Sequence, residues 1–134
     1  MGYVIRPASG PIHLDTSFLI RALDPTYTES VQLLDWLSAH HSIAVSALAW
    51  GEFLCGPLGE GDEGVARVMV QRHVPVGVNE AAEAARLFNH AGRRRNSLPD
   101  CVIAAAAILD GAALATSNRR DFERFVDAGL ELAE

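Results

Sequence analysis

Short apolar runs alternate along the chain with longer segments of helical periodicity. The apolar runs predict short strands at residues 12–14, 43–45, 74–76 and 112–115. The segments between them predict helices at residues 16–23, 29–39, 47–55, 65–72, 80–90 and 99–109. Strands that alternate with helices are typical of a parallel sheet covered on both faces, so the pattern predicts an α/β fold.

Local signals refine three of these helices. The helix at 29–39 is expected to pack inward along one apolar face, formed by Val31, Leu34 and Leu37 or Trp36. Ser46 is placed to cap the helix at 47–55, and Asn79 to open the helix at 80–90. Gly51 interrupts the helix at 47–55 at a cost of roughly 1 kcal/mol relative to Ala. A residue that small predicts the close approach of another backbone at this point.

Composition indicates one compact domain over residues 1–134, with residues 1–11 as an N-terminal extension. The 134 residues are 49% hydrophobic and 21% charged, and a chain of this length forms a sizeable core without disulfides or structural metal. Cys55 and Cys101 show no C-x-x-C spacing, which predicts reduced thiols and a cytoplasmic protein. The longest apolar run, residues 101–109, is about half of the roughly 20 residues that a membrane span requires, and no export or lipid signal is visible.

Charge narrows the class of protein further. The formal charge is -6, and all 11 basic side chains are Arg. The absence of Lys excludes a Walker-type phosphate loop, a Schiff-base enzyme and a phospho-receiver domain as these are usually built. A net acidic chain contacts nucleic acid only through local basic charge. Arg93, Arg94 and Arg95 form such a run, for which solvated surface charge is the alternative interpretation.

Three acids stand out by position. Asp15 directly follows the strand predicted at 12–14, at the edge of the sheet where ligands of open α/β folds bind. Asp100 lies in the first turn of the helix predicted at 99–109, where the helix dipole favours a carboxylate. Glu52 is the only charge in an otherwise apolar helix. Clustered carboxylates repel unless a divalent cation neutralises them, and Mg²⁺ prefers one or two carboxylates with water and phosphate oxygens.

Each acid also has a structural interpretation. Asp15 would cap the helix that begins at Thr16, Asp100 would complete a capping box with Ser97, and Glu52 would face solvent. Three acids at a strand end, an apolar helix and a helix N-terminus are together explained better by one metal site.

Four blocks of sequence resemble PIN-domain nucleases, particularly the VapC-like toxins. The blocks are IHLDTSFLI at 12–20, SALAWGEF at 46–53, LPDCVIAA at 98–105 and LATSNRRDF at 114–122. They follow the order and spacing of that family from residue 12 to the C-terminus, so the resemblance covers nearly the whole chain. As a set they are specific, whereas the first block alone also occurs in other acid-site enzymes.

The resemblance implies a three-layer α/β/α fold with a short-stranded parallel sheet. It also implies an endoribonuclease that depends on Mg²⁺ or Mn²⁺, forms a homodimer and is covered by a cognate antitoxin. By matching position, Asp15, Glu52 and Asp100 are the metal-site acids and therefore the catalytic ones. Asn118 stands where many relatives have Asp, and Asp121 is the candidate to supply the missing carboxylate.

Polar residues beside these acids are candidates for orienting a water or a ligating carboxylate: Thr16, Ser17, Thr116 and Asn118. Ordinary turn and capping hydrogen bonds explain the same residues as well. Arg93, Arg94 and Arg95 are the candidates for holding the RNA backbone. The five histidines show no H-E-x-x-H spacing, so each is read as a surface or core residue.

Two other functions fit the same residues. The first is a degenerate PIN fold that binds RNA or a protein without cutting, which Asn118 favours. The second is a small metal-dependent phosphoesterase that acts on a phosphorylated metabolite. Incubation of the protein with RNA and Mn²⁺, with and without a chelator, discriminates between the three.

Overall fold

The structure, a computed structural model, describes residues 10–134. Its strands are β1 (Ile12–Leu14), β2 (Ile43–Ser46), β3 (Arg72–Val74), β4 (Ala113–Ala115) and β5 (Glu131–Leu132). Its helices are α1 (Thr16–Ala22), α2 (Thr28–Ser38), α3 (Ala47–Cys55), α4 (Asp62–Met69), α5 (Val78–His90), α6 (Leu98–Leu109) and α7 (Arg119–Glu123), followed by a 3₁₀ turn at Val126–Ala128. The predicted N-terminal extension lies almost wholly outside the described residues.

The five strands form one parallel sheet in the order β3-β2-β1-β4-β5. The chain moves outward from β1 through β2 to β3, then crosses to the other side of β1 to form β4. Right-handed crossovers therefore place the helices of the two halves on opposite faces of the sheet, and the fold is a three-layer α/β/α sandwich as predicted. The strand order reverses between β1 and β4, the position at which open α/β sheets bind ligands.

The core lies on both faces of the central strand. All three residues of β1 are buried, and so are all four of β2. The helix α6 packs against α5 and buries an almost continuous apolar stretch between Cys101 and Ala107. This burial in the core accounts for the apolar run at residues 101–109 of the sequence. Within residues 10–134, no helix is long and apolar enough to cross a membrane.

The predicted inner face of α2 is only partly right. Val31 and Leu34 are 57% and 52% exposed, whereas Leu33 is fully buried. Trp36 and Leu37 pack against the core, and the Trp36 ring stacks on Phe18. Apolar residues occupy several overlapping helical stripes in this segment, so periodicity alone did not identify the buried one.

The region around β3 also differs from prediction. The helix expected at 65–72 begins earlier, at Asp62, because Gly61 in a left-handed conformation starts it and two acids occupy its first turn. The strand expected at 74–76 is instead Arg72–Val74, an exposed edge strand that ends before Pro75. The sequence analysis also missed β5, whose two residues pair with β4.

Two local predictions are wrong and one is confirmed. A Cβ at Gly51 would meet nothing within 4 Å, so no backbone approaches there. The helix α5 begins at Val78, and its opening residue is Gly77, whose amide donates to Glu80, rather than Asn79. Ser46 caps α3 as predicted by accepting a hydrogen bond from the Ala49 amide.

Candidate metal centre

Asp15 is held at the point where the strand order reverses. Its Oδ1 accepts hydrogen bonds from the Phe18 amide and the Ser17 hydroxyl, each at 2.8 Å. Its Oδ2 accepts a hydrogen bond from the Thr116 hydroxyl at the end of β4. The Asp15 carboxylate therefore does cap α1, but Oδ2 keeps a lone pair that these bonds do not use. The same residue serves as a cap and offers an oxygen to a cation.

Burial is the largest influence on the ionisation of Asp15 when no cation is present. The residue is 3% exposed, and burial raises the pKa of its carboxyl above the ordinary value. The nearby charge of Glu52 raises this pKa further, while the hydrogen bonds that Asp15 accepts oppose the shift. A divalent cation beside Asp15 would lower this pKa and stabilise the charged carboxylate.

Glu52 reaches the same place from α3. Its side chain is exposed, and the Thr16 hydroxyl donates to its Oε1 at 2.6 Å. Thr16 is the first residue of α1, directly after Asp15, so this bond fixes Glu52 relative to the buried acid. The alternative interpretation, in which Glu52 only faces solvent, is right about exposure but misses this contact.

Asp100 lies half-buried in the first turn of α6. Burial raises the pKa of its carboxyl to about 6, the charges of Asp121, Glu52 and Asp15 add to the shift, and Arg124 opposes it. The capping box that was the alternative interpretation of Asp100 is absent, because the Ser97 hydroxyl donates to the Arg94 carbonyl at 2.6 Å instead. The Asp100 carboxylate is thus not used to cap its helix.

Asp121 and Asn118 occupy different surroundings at the start of α7. Asp121 lines a polar cleft of about 320 Å³ together with Asp100 and Arg124. Asn118 is exposed, and its backbone amide donates to the Thr116 hydroxyl at 2.9 Å. Its side chain makes no capping hydrogen bond to α7. Asp121 therefore lies beside Asp100, a candidate metal ligand, whereas Asn118 contacts the candidate site through its backbone amide.

Ser117 joins the site to a residue that the sequence analysis did not identify. The Ser117 amide donates to the Ser17 hydroxyl at 3.1 Å, and the Ser117 hydroxyl donates to Glu29 Oε2 at 2.6 Å. This hydrogen bond holds the pKa of Glu29 below its usual range. Glu29 is an acid in the first turn of α2, an ordinary helix feature, so no sequence signal marked it.

The basic run divides in the structure. Arg94 and Arg95 line the cleft that contains Asp100 and Asp121. Arg93 turns away, since its guanidinium donates to the Asn89 side chain and lies over the Phe88 ring. Arg124 lies in the cleft as well, but the sequence analysis missed it because it falls two residues beyond the last motif.

The donor chemistry fits a hard divalent cation. Carboxylate oxygens are the ligands that Mg²⁺ and Mn²⁺ prefer, and Mg²⁺ usually binds one or two carboxylates and keeps several waters. Between residues 10 and 134, no three His, Cys, Asp or Glu side chains are already close enough to surround one ion. Their negative charges nevertheless act on one another, since those of Asp121, Glu52 and Asp15 each raise the pKa of Asp100. The arrangement fits an ion held by few direct ligands and by water.

Comparison with known proteins identifies the class. The PIN-domain family profile matches residues 12–127, so the chain belongs to the PIN-domain family. Proteins of this family are generally nucleases that depend on divalent metal. A comparison with curated proteins found no match.

Solved structures share the fold. A chain of the VapBC2 complex from Rickettsia felis, bound to a DNA fragment from its promoter, aligns with a TM-score of 0.72 and 19% identity, covering 91% of this chain and 96% of that one. A chain of FitAcB from Neisseria gonorrhoeae aligns with a TM-score of 0.67 and 23% identity, with coverages of 92% and 96%. A toxin–antitoxin complex from Klebsiella pneumoniae gives a TM-score of 0.67 and 24% identity, with coverages of 85% and 90%.

Proposed function

We propose that this chain is a metal-dependent endoribonuclease that hydrolyses RNA phosphodiester bonds and acts as the toxin of a toxin–antitoxin pair. The proposal is carried by Asp15, a buried carboxylate at the switch point of the sheet whose charge is coupled to those of Glu52 and Asp100. Membership of the PIN-domain family supports nuclease chemistry. An exposed, polar cleft beside the acids suits a strand with charged phosphates better than a small metabolite.

Asp15, Glu52 and Asp100 would hold Mg²⁺ or Mn²⁺, and Asp121 would contribute a further carboxylate. When bound, such an ion supplies Lewis-acid activation of the phosphate and of the attacking water. The chain itself provides rigid placement. Ser17 and Thr116 hold the Asp15 carboxylate, and Thr16 holds Glu52.

The RNA backbone would lie along the wall of the cleft that carries Arg94 and Arg95. Of the three residues in the basic run, Arg93 is the least suited to this role, because Asn89 already accepts its hydrogen bond. Net acidic charge disfavours RNA elsewhere on the surface. We therefore place RNA binding in the cleft alone.

An antitoxin and a second copy of the chain are the proposed protein partners. The similar structures come from complexes named VapBC, FitAcB and toxin–antitoxin complex, which supports a cognate antitoxin for this chain. The homodimer rests on the resemblance of the sequence to the VapC-like toxins. A cytoplasmic site of action agrees with the two free thiols, Cys55 and Cys101.

The first prediction concerns the three acids. Asp15→Asn, Glu52→Gln and Asp100→Asn should each lower RNA cleavage by at least about 100-fold while leaving the far-ultraviolet circular dichroism unchanged, because each removes a charge that binds the ion. The measurement is turnover of labelled single-stranded RNA in saturating Mn²⁺. Asp35→Asn, which changes an exposed acid on α2, is the matched control and should cut at the wild-type rate.

Addition of a chelator to the wild-type reaction should stop cleavage, and excess Mn²⁺ should restore it. A variant that kept near-wild-type turnover would remove that acid from the site. Wild-type protein that binds RNA but leaves it intact under all metal conditions would instead establish a binding module. Hydrolysis of a phosphorylated metabolite but not of RNA would establish a phosphoesterase.

A further inference from the structure

Arg124, directly after α7, carries a guanidinium that no hydrogen bond in the described chain satisfies. Its Nε and Nη2 atoms are buried and have no acceptor among residues 10–134. The Phe125 ring packs against the guanidinium, with the Arg124 Cζ atom 4.7 Å from the ring centroid. Buried charges in native proteins are normally paired and hydrogen-bonded. The Arg124 side chain as a whole is 18% exposed and lines the open cleft, so an acceptor that enters the cleft can reach the guanidinium.

The nearest charged partner within the described chain does not meet this need. Asp100 Oδ2 lies 3.6 Å from Arg124 Nη2, which is an electrostatic contact but too long for a hydrogen bond. Asp100 is also a proposed ligand of the divalent ion. An ion on that carboxylate would repel the guanidinium unless an anion lay between the two cations.

We infer that Arg124 binds a phosphate group of the RNA strand and forms the anion subsite of the cleft beside Asp100. A guanidinium presents a planar fork of N–H donors that matches two oxygens of one phosphate, which a Lys ammonium does not. The cleft also contains Arg94 and Arg95, which suit the neighbouring phosphates of the same strand. This inference rests on the proposed ribonuclease function and adds a substrate-contacting residue to it.

The chemistry also predicts that metal and RNA bind together. Asp100 and Asp121 in the same cleft repel a phosphate, so the anion subsite is weak until a divalent cation neutralises these acids. The opposite result is expected if Arg124 does not bind RNA and only balances the charge of Asp100. Loss of Arg124 would then change metal affinity and leave RNA affinity at fixed metal occupancy unaffected.

The experiment measures RNA and metal binding separately in a cleavage-inactive Glu52→Gln background. Arg124→Met keeps the aliphatic stem that packs on Phe125 but removes the charge, and Arg124→Lys keeps the charge but removes the fork. Arg120→Met is the matched control, because Arg120 is an exposed residue of α7. Fluorescence anisotropy with a short labelled oligoribonucleotide gives the RNA affinity in saturating Mn²⁺ at several salt concentrations, and calorimetry gives the Mn²⁺ affinity.

Arg124→Met should weaken RNA binding by about tenfold and lower the slope of log affinity against log salt by about 0.7. Arg124→Lys should keep the slope and lose part of the affinity, and Arg120→Met should change neither. Mn²⁺ affinity of Arg124→Met should equal or exceed that of the parent, because a cation beside Asp100 is gone.

Unchanged RNA affinity in both Arg124 variants would overturn the inference, and so would weaker Mn²⁺ binding with normal RNA binding at saturating metal. If Arg124→Met fails to fold, Arg124→Lys provides the test, because it retains the charge and the aliphatic stem. Unchanged RNA affinity in Arg124→Lys would then overturn the inference. Failure of the proposed function looks different. In that case the unmutated wild-type protein does not cleave the RNA, whether or not it binds it, whereas failure of this inference alone leaves wild-type binding and cleavage intact.

Discussion

Asp121 and Asn118 differ in what their side chains offer a divalent cation. A carboxylate brings a full negative charge, whereas an amide brings only a neutral oxygen. Asp121 lines the cleft beside Asp100, and its negative charge raises the pKa of the Asp100 carboxyl. Asn118 is exposed and contacts Thr116 through its backbone. At the scale of single residues, Asp121 is therefore the better candidate for the final carboxylate.

This assignment predicts opposite effects of two substitutions on Mn²⁺ affinity in calorimetric titration. Asp121→Asn should weaken Mn²⁺ binding by up to about tenfold, roughly 1.4 kcal/mol, and slow cleavage, because it removes a charge from the site. Asn118→Asp should tighten Mn²⁺ binding, because it adds a charge near the end of β4. Glu123→Gln, an exposed acid of the same helix, is the control. Wild-type affinity and rate in Asp121→Asn would leave the site to Asp15, Glu52 and Asp100.

At the scale of elements, a second polar cluster lies at the opposite end of α6 from Asp100 and is formed by His13, Arg72 and Asp110. His13, 1% exposed on β1, lies with its Nε2 2.8 Å from Asp110 Oδ2 at the end of α6. Arg72 of the edge strand β3 donates to the same oxygen at 2.5 Å. Burial lowers the pKa of His13 despite its acidic partner. A neutral imidazole that donates to the Asp110 carboxylate explains both observations.

Loss of Asp110 should therefore destabilise the fold. Asp110→Ala leaves the His13 Nε2–H buried without an acceptor and frees Arg72, at a cost of about 2 kcal/mol in the free energy of unfolding. Asp127→Ala is the matched control, because Asp127 pairs with His90 at a similar distance of 3.0 Å but is 79% exposed. Its removal should cost less than about 0.5 kcal/mol. Urea denaturation at neutral pH measures both, and equal losses would mean that the His13 pairing adds nothing to stability.

For the whole molecule, the cost of bringing acids together appears as a dependence of stability on pH. The pKa of Asp100 is about 6 in the folded protein and near 3.8 in an unfolded chain, so the folded form binds this proton more tightly. The free energy of unfolding of the metal-free protein should thus rise as the pH falls from above 6 towards 3.8. The charged Asp100 opposes folding at neutral pH, and a bound cation would remove this penalty.

Asp100→Asn tests this statement without any activity measurement. In EDTA at pH 8 the variant should be more stable than wild type by about 1 kcal/mol, a figure that allows for solvent screening at a side chain 35% exposed. The difference should vanish below pH 4, where the wild-type carboxyl is protonated. Mn²⁺ should raise the unfolding free energy of wild type more than that of the variant. A variant less stable than wild type at pH 8 would contradict the pKa shift.

The hydrophobic pattern and the motif blocks of the sequence by themselves determine most of this fold. Strands β1 and β4 and helices α3 and α6 were predicted to within one residue at either end, because buried strands and an apolar helix leave a strong local signal. The positions of Asp15 and Asp100 followed from the same signal, since each borders one of these elements. Edge strands carry less information: β3 is exposed and β5 has two residues, so both depend on the strands beside them.

Only the tertiary structure decided which side chains meet. Thr116 bonds to Asp15, Ser117 to Glu29 and Thr16 to Glu52 across 101, 88 and 36 positions of sequence, respectively. Tertiary structure also decides that Arg94 and Arg95 line the cleft while Arg93 does not, and that Arg124 joins them there. Periodicity indicates which side of one element faces the core, but sheet order and helix packing determine which residues of different elements meet. The acids were therefore visible in the sequence, whereas the residues that hold them and the guanidinium beside them were not.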